Sequence, residues 1–144
     1  LGNLVFVSKL VAAGVDPSAS RIGVVASHYR SDRDWSDEVL EAAKARLETW
    51  RAACAATKTA TDEKAVSAAA ALVADVRASL ANDLDTPAAL DAIDAWAAEW
   101  SSATGNKAEA GGAEEAAEAG TVTGAARAGE FVATALDALL GVKL

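Results

Sequence analysis

Apolar positions recur at spacings of three and four along most of this chain. The clearest series is Leu40, Ala43, Leu47, Trp50 and Cys54, which places one apolar stripe along a helix. Ser36 stands where a side-chain oxygen can cap that helix, and Asp37 and Glu38 meet the positive end of its dipole. Trp35, just before the cap, is placed to pack on Leu40 as a hydrophobic staple. A second series, Val66, Ala69, Val73, Val76 and Leu80, follows the polar break 57–62. A third, Leu90, Ile93, Ala97 and Trp100 with Trp96 alongside, begins at Thr86 and Pro87 after the turn Asn82-Asp83-Leu84-Asp85.

The flanks read less regularly. Leu4 to Val7 are four consecutive apolar residues after Gly2 and Asn3, which predicts a short extended segment. Ser8 can cap a brief helix, Lys9 to Ala13, that Gly14 stops. Asp16 with Pro17 predicts a helix reaching about His28, with Ile22, Val25 and Ala26 inward and with Ser20 and Gly23 weakening it by up to about 1 kcal/mol each. After Ser101 the chain carries six of its ten glycines among Ala and Glu before residue 130. Residues 102–129 therefore read as a flexible linker with too little apolar surface to offset ordering. A last amphipathic helix spans Glu130 to Leu140 with Phe131, Ala135, Leu136 and Leu139 inward; Gly141 ends it and Val142 can fold back. The expected architecture is all-α, an antiparallel helical bundle over residues 17–101. Residues 1–16 precede it as a tail that opens with a short extended segment, and residues 130–144 pack on it as a terminal helix.

Composition narrows the function classes. At 144 residues one domain is expected, and its 52% hydrophobic content is mostly alanine with only 5% aromatic, so the core must come from close helix packing. Thirteen basic against 21 acidic residues leave a net charge of −8, which opposes nucleic-acid binding. One cysteine excludes an internal disulfide and fits a reducing, cytoplasmic setting. No apolar run matches a membrane span and no leader pattern opens the chain. It has no Met at all, and the abrupt start is expected of the C-terminal piece of a longer protein.

Individual residues carry little chemistry. His28 is the sole histidine, with no partner at ligand spacing, so a hydrogen-bonding role outweighs metal binding or catalysis. Cys54 lies on an apolar stripe and reads as a buried small hydrophobe. The Asn82-Asp83-Leu84-Asp85 carboxylates suit capping and turn roles better than a cation site. The four tryptophans, at helical spacing, read as core. No phosphate loop, triad or zinc cluster is present. No catalytic, cofactor-binding or metal residue is assigned.

Five pieces occur in order: Leu1-Gly2-Asn3-Leu4-Val5, Gly14-Val15-Asp16-Pro17, His28-Tyr29-Arg30-Ser31, Trp35-Ser36-Asp37-Glu38-Val39-Leu40 and Asp83-Leu84-Asp85-Thr86-Pro87. Together they resemble the segment following the KMSKS loop in class I cysteinyl-tRNA synthetases and the related mycothiol-pathway cysteine ligases. Trp35 after an acidic stretch, and the ending from Ala133 to Val142, resemble the ligases. The chain stops at Leu144 without the further mixed domain that the synthetases use on the anticodon. Ser20, Gly23 and the long 102–129 stretch depart from the pattern.

The resemblance implies a whole enzyme that joins the carboxylate of L-cysteine to the amine of glucosaminyl-inositol. Cysteine attacks the α-phosphate of ATP, giving an adenylate and pyrophosphate, and the sugar amine then displaces AMP. It implies a zinc ion that selects the thiol and KMSKS lysines that stabilise the leaving pyrophosphate. Both sites, and the nucleotide site, are expected before Leu1, so this chain alone binds no cofactor and is inactive. Residues 1–16 are then the tail of the catalytic core, with Leu4, Phe6 and Leu10 as the buried attachment anchoring the mobile loop. The expected partner is the protein's own N-terminal catalytic domain; the chain is read as monomeric, with no nucleic acid and no membrane. Two other readings stand beside this one: the same region of a cysteinyl-tRNA synthetase, and an independent helical interaction module.

Overall fold

The computed structural model describes residues 5–61, 63–101 and 127–144. Among them are six helices and no strand: α1 (Val7–Ala12), α2 (Pro17–Val25), α3 (Asp37–Ala56), α4 (Glu63–Ala81), α5 (Thr86–Ser101) and α6 (Ala128–Leu140). The linker expectation falls largely on residues 102–126, outside the described residues.

The start signals act as their chemistry requires. Asp16 Oδ1 accepts the Ser18 N–H at 2.7 Å with Pro17 at the first position of α2, and Ser36 Oγ accepts the Val39 N–H at 3.4 Å. Asp85 rather than Thr86 caps α5, its Oδ1 accepting the Ala88 N–H at 3.1 Å.

α5 and α6 each pack against both α3 and α4, so these four helices form a ring with α3 and α4 diagonal to each other, and α2 lies outside against α3. The sequence neighbours α3 and α4 are thus not packing partners, whereas α2 with α3 and α4 with α5 are. Trp50, Ile22, Leu90, Ile93, Val76, Val132 and Leu136 are fully buried at the centre. Ala19, Ala43, Ala53, Ala65, Ala69, Ala89, Ala97 and Ala128 fill the contacts between them. With alanine at so many contact positions the helix backbones can approach closely, and the alanine-rich composition becomes a packing device.

α6 is fixed at both ends. The Ala128 N–H donates to the Ala60 carbonyl at 3.1 Å and the Gly129 N–H to the Thr57 carbonyl at 3.0 Å, so two orphan donors of α6 are satisfied by the segment leaving α3. Gly129 permits this approach: a Cβ there would lie inside the Cys54 carbonyl oxygen and 2.9 Å from both Lys58 N and Thr57 Oγ1. At the far end Gly141 takes φ 65°, α6 stops, and Val142 turns back to be completely buried. The Lys143 main chain is then held by Ser18, whose Oγ accepts its N–H at 3.0 Å, and by Arg51, which donates to its carbonyl at 2.9 Å.

Several expectations need correction. Val7 and Ser8 lie inside α1, which has Phe6, in extended conformation, at its cap position; of the expected extended run only Val5 and Phe6 are described outside the helix. Phe6 is 55% exposed and Leu10 only half-buried, so neither is a buried attachment within this chain, and Leu4 lies outside the described residues. α2 ends at Val25, three residues short of His28, and buries Ser18, Ala19, Ile22 and Gly23, with Val25 and Ala26 half-buried. α6 starts at Ala128 and turns Val132, not Phe131, inward. Gly23, a departure from the family pattern, has a local cause: the Trp35 ring lies over it, and a Cβ would sit 3.0 Å from Trp35 Cη2.

Candidate functional site

A polar cluster forms where the chain leaving α2 meets the turn between α4 and α5. In that turn Asp83 and Leu84 both adopt left-handed φ, 54° and 55°, without being glycine. Such residues cost roughly 1–3 kcal/mol each and persist only where their surroundings over-determine them. Three consecutive side chains supply that restraint. His28 Nε2 lies 3.1 Å from the Asp83 carbonyl oxygen, while His28 Nδ1 accepts the Arg30 main-chain N–H at 3.3 Å. With Nδ1 accepting, the proton of the neutral ring sits on Nε2 and is donated to Asp83. The Tyr29 hydroxyl donates to Asp83 Oδ1 at 2.8 Å, and Arg30 Nη1 pairs with Oδ2 at 3.1 Å. The Asp83 carboxylate beside Tyr29 raises the phenol above its ordinary range. Arg30 also lies over the Tyr29 ring, 5.3 Å from its centre. Two of the five motif pieces, His28 to Ser31 and Asp83 to Pro87, therefore meet at one aspartate.

A second cluster joins α2, α3 and the C-terminal residues. Arg51 Nη1 pairs with Asp16 Oδ2 at 2.9 Å while its Nη2 holds the Lys143 carbonyl. Burial pushes the Asp16 carboxyl up, but the Ser18 N–H and the Arg51 guanidinium outweigh it and hold the group below the usual carboxylate range. A third cluster spans α3 and α5: buried Trp50 donates its indole N–H to Asp94 Oδ1 at 2.7 Å, and Arg46 Nε pairs with Asp94 Oδ2 at 2.8 Å.

These contacts decide the residues singled out by type. His28 and the Asp83 and Asp85 carboxylates serve hydrogen bonding, turn and cap. Cys54 is buried, and burial pushes its thiol up to about 11, which suppresses the nucleophilic thiolate. It borders an open groove of about 550 Å³ with Arg51, Lys58, Glu130, Thr134 and Leu144. Trp50 and Trp96 are core, Trp100 is half-buried under Lys64, and Trp35 is half-buried on Gly23. Among the described residues no three of His, Cys, Asp and Glu come together to hold a metal ion.

Sequence reasoning missed the Asp83 clamp, the Arg51 junction and the Trp50–Asp94 bond. Their partners lie 35 to 92 positions apart, beyond any local period. The one available signal was complementary spacing, Arg46 and Trp50 four apart on α3 facing Asp91 and Asp94 three apart on α5.

Fold and clusters together define a helical supporting segment whose polar groups brace helices against one another. No protein-family model matches the chain. It is 51% identical over 144 residues to the L-cysteine:1D-myo-inositol 2-amino-2-deoxy-alpha-D-glucopyranoside ligase of Corynebacterium efficiens, covering 100% of this chain and 31% of the relative. Ligases of the same name match from Streptomyces avermitilis, 48% over 143 residues (99% of this chain, 29% of the relative), and from Nakamurella multipartita, 47% over 143 residues (99% and 27%). The chain belongs to this ligase family, and it spans about 30% of the length of these relatives.

Proposed function

We propose that this chain is the C-terminal helical part of an ATP-dependent ligase that joins L-cysteine to the amine of glucosaminyl-inositol through a cysteinyl adenylate. The observation that carries this is identity of 47–51% through the whole chain to ligases of four genera that share one name. In this reading the chain braces the mobile KMSKS loop of the catalytic part and is inactive by itself.

The described residues do not fit the zinc ion of this reading: the sole histidine is engaged with Asp83 and the sole cysteine is buried with a raised thiol pKa. They likewise show no phosphate-binding loop. In this reading the zinc and ATP sites are expected in the remainder of the longer protein, and no chemical step is assigned to this chain. A cytoplasmic, monomeric enzyme fits the single free thiol, and no described helix is long and apolar enough to cross a membrane. The tRNA synthetase reading is disfavoured because Arg30, Lys44, Arg46, Arg51, Lys64 and Arg127 are each paired with a carboxylate, leaving their charge partly neutralised.

The test compares the full-length protein with this chain. Full-length protein given cysteine, ATP and glucosaminyl-inositol should yield the amide and AMP, and the pure 144-residue chain should catalyse no ATP–pyrophosphate exchange. Exchange by the chain alone, or cysteinylation of tRNA by the full-length protein in place of amide formation, would overturn the proposal.

A further inference from the structure

We propose that His28 makes the Asp83 clamp a pH-sensitive latch, closed while the imidazole is neutral and released when it takes up a second proton. The inference concerns this chain's own residues and does not depend on the ligase reading. Each ring nitrogen of His28 has a different task. Nε2 donates to the Asp83 carbonyl at 3.1 Å, and Nδ1 accepts the Arg30 main-chain N–H at 3.3 Å. Only the neutral ring is a donor at one nitrogen and an acceptor at the other. A proton added at Nδ1 would point at the Arg30 N–H, so two donors would meet where a hydrogen bond now stands. The Ser31 N–H donates to the His28 carbonyl at 2.9 Å, so the ring is held inside a closed turn at that spot.

A neighbouring carboxylate could compensate the lost acceptor, and the distances decide against it. Among the described residues the titratable groups in contact with the ring are Asp83 of the α4–α5 turn and, from its own segment, Tyr29 and Arg30. Asp83 Oδ2 lies 3.8 Å from Nε2 but only 3.1 Å from Arg30 Nη1, and Oδ1 takes the Tyr29 hydroxyl at 2.8 Å. The carboxylate is thus already matched by a guanidinium, and a charged ring sets a second cation beside Arg30. At a solvent-accessible site the longer pairing is screened and weak, so the loss at Nδ1 prevails. The ring then swings away and the Asp83 carbonyl loses its donor. That carbonyl belongs to the first of two consecutive left-handed residues, so release falls on a strained point of the turn. Histidine is the side chain whose ordinary charge change lies within the physiological pH range. The device therefore couples pH to the order of two segments more than fifty positions apart in sequence.

The experiment is amide hydrogen exchange with peptide mass spectrometry on the full-length protein, at about pH 8 and about pH 5.5, with exchange times scaled for the intrinsic rate. Peptides over 26–36 and 79–90 read the two sides of the latch, and one from within α3 reads the global fold. The second contains the Leu84 and Asp85 amides, which donate to the Leu80 and Ser79 carbonyls at 3.2 and 3.1 Å. Relative to the α3 peptide, protection on both sides should fall at least ~10-fold at the lower pH. His28→Asn and His28→Gln carry an amide in place of the ring and do not titrate, so each should show the same protection at both pH values. Unchanged protection in the parent would overturn the proposal, and so would a fall confined to one side. A fall of equal size in the folded variants would also overturn it, because the response would then belong to another group. A variant that fails to fold shows it by lost protection in α3, and the other variant with the parent comparison then decides.

Discussion

Gly129→Ala tests whether α6 is docked through its first turn. In an open helix the change gains up to about 1 kcal/mol from propensity. Here the added methyl would overlap the Cys54 carbonyl oxygen and crowd Lys58 N and Thr57 Oγ1 at 2.9 Å. Two of those three are main-chain atoms at the end of α3 and cannot rotate away, so α6 must shift. The shift weakens the Ala128 to Ala60 and Gly129 to Thr57 hydrogen bonds, each about 0.5–1.5 kcal/mol, and overpacking adds about 1–3 kcal/mol. The net expectation is a loss of about 2–4 kcal/mol. Urea unfolding of the 144-residue chain, followed by circular dichroism, reads this as a lowered midpoint at unchanged slope. Gly14→Ala is the control: its φ of 71° is strained for alanine, but nothing lies within 4 Å of the new Cβ, so only about 1 kcal/mol should be lost. A Gly129→Ala midpoint equal to or above that of the parent would refute the docking argument.

Three further outcomes follow from the polar clusters and the core. The stabilisation from Asp16 is present above the unfolded carboxyl value near 3.8 and is lost as pH falls through the lower folded value; the parent should therefore exceed Asp16→Asn in urea midpoint at pH 6, and the gap should close below about pH 4. A gap that stays constant through the acid range would contradict the Arg51–Asp16 assignment. With the Cys54 thiol raised from its ordinary 9.0 to about 11, alkylation at pH 8 should be at least about 100-fold slower in the folded chain than in denaturant. Leu84→Gly should change stability by less than about 1 kcal/mol, because relief of the left-handed strain offsets glycine's extra unfolded freedom and Leu84 is 56% exposed. Asp83→Ala should cost more, and the opposite order in thermal melts would rule out the clamp.

The helices were readable where a cap and a long stripe agreed. Ser36 with the Leu40 to Cys54 series, and Asp16 with Pro17, each combine a start signal with a period that the core then uses. The rotation of α6 was not readable, because Phe131 with Ala135 and Val132 with Leu136 are adjacent four-residue pairs of equal apolar character. Only docking onto Thr57 and Ala60 selects the second pair. Four consecutive apolar residues near the start carried no period, and Val7, though β-branched, entered a helix. At the His28 to Arg30 junction the motif pieces were visible but their meeting point was not. A contact across 54 residues depends on how α2 lies against α3 and how α3 lies against α5, which no local pattern encodes.

The Asp83 clamp also bears on how such a chain can drift over generations. One aspartate receives all three side chains of a tripeptide, through its carbonyl and both carboxylate oxygens. A lineage that loses Asp83 removes the reason for keeping Tyr29 and Arg30, and one that loses the tripeptide leaves the strained turn without its restraint. The four positions should therefore be inherited as a block. Relatives that vary freely elsewhere on the surface should keep all four or replace them together, with glycine entering position 83 or 84 in the same step.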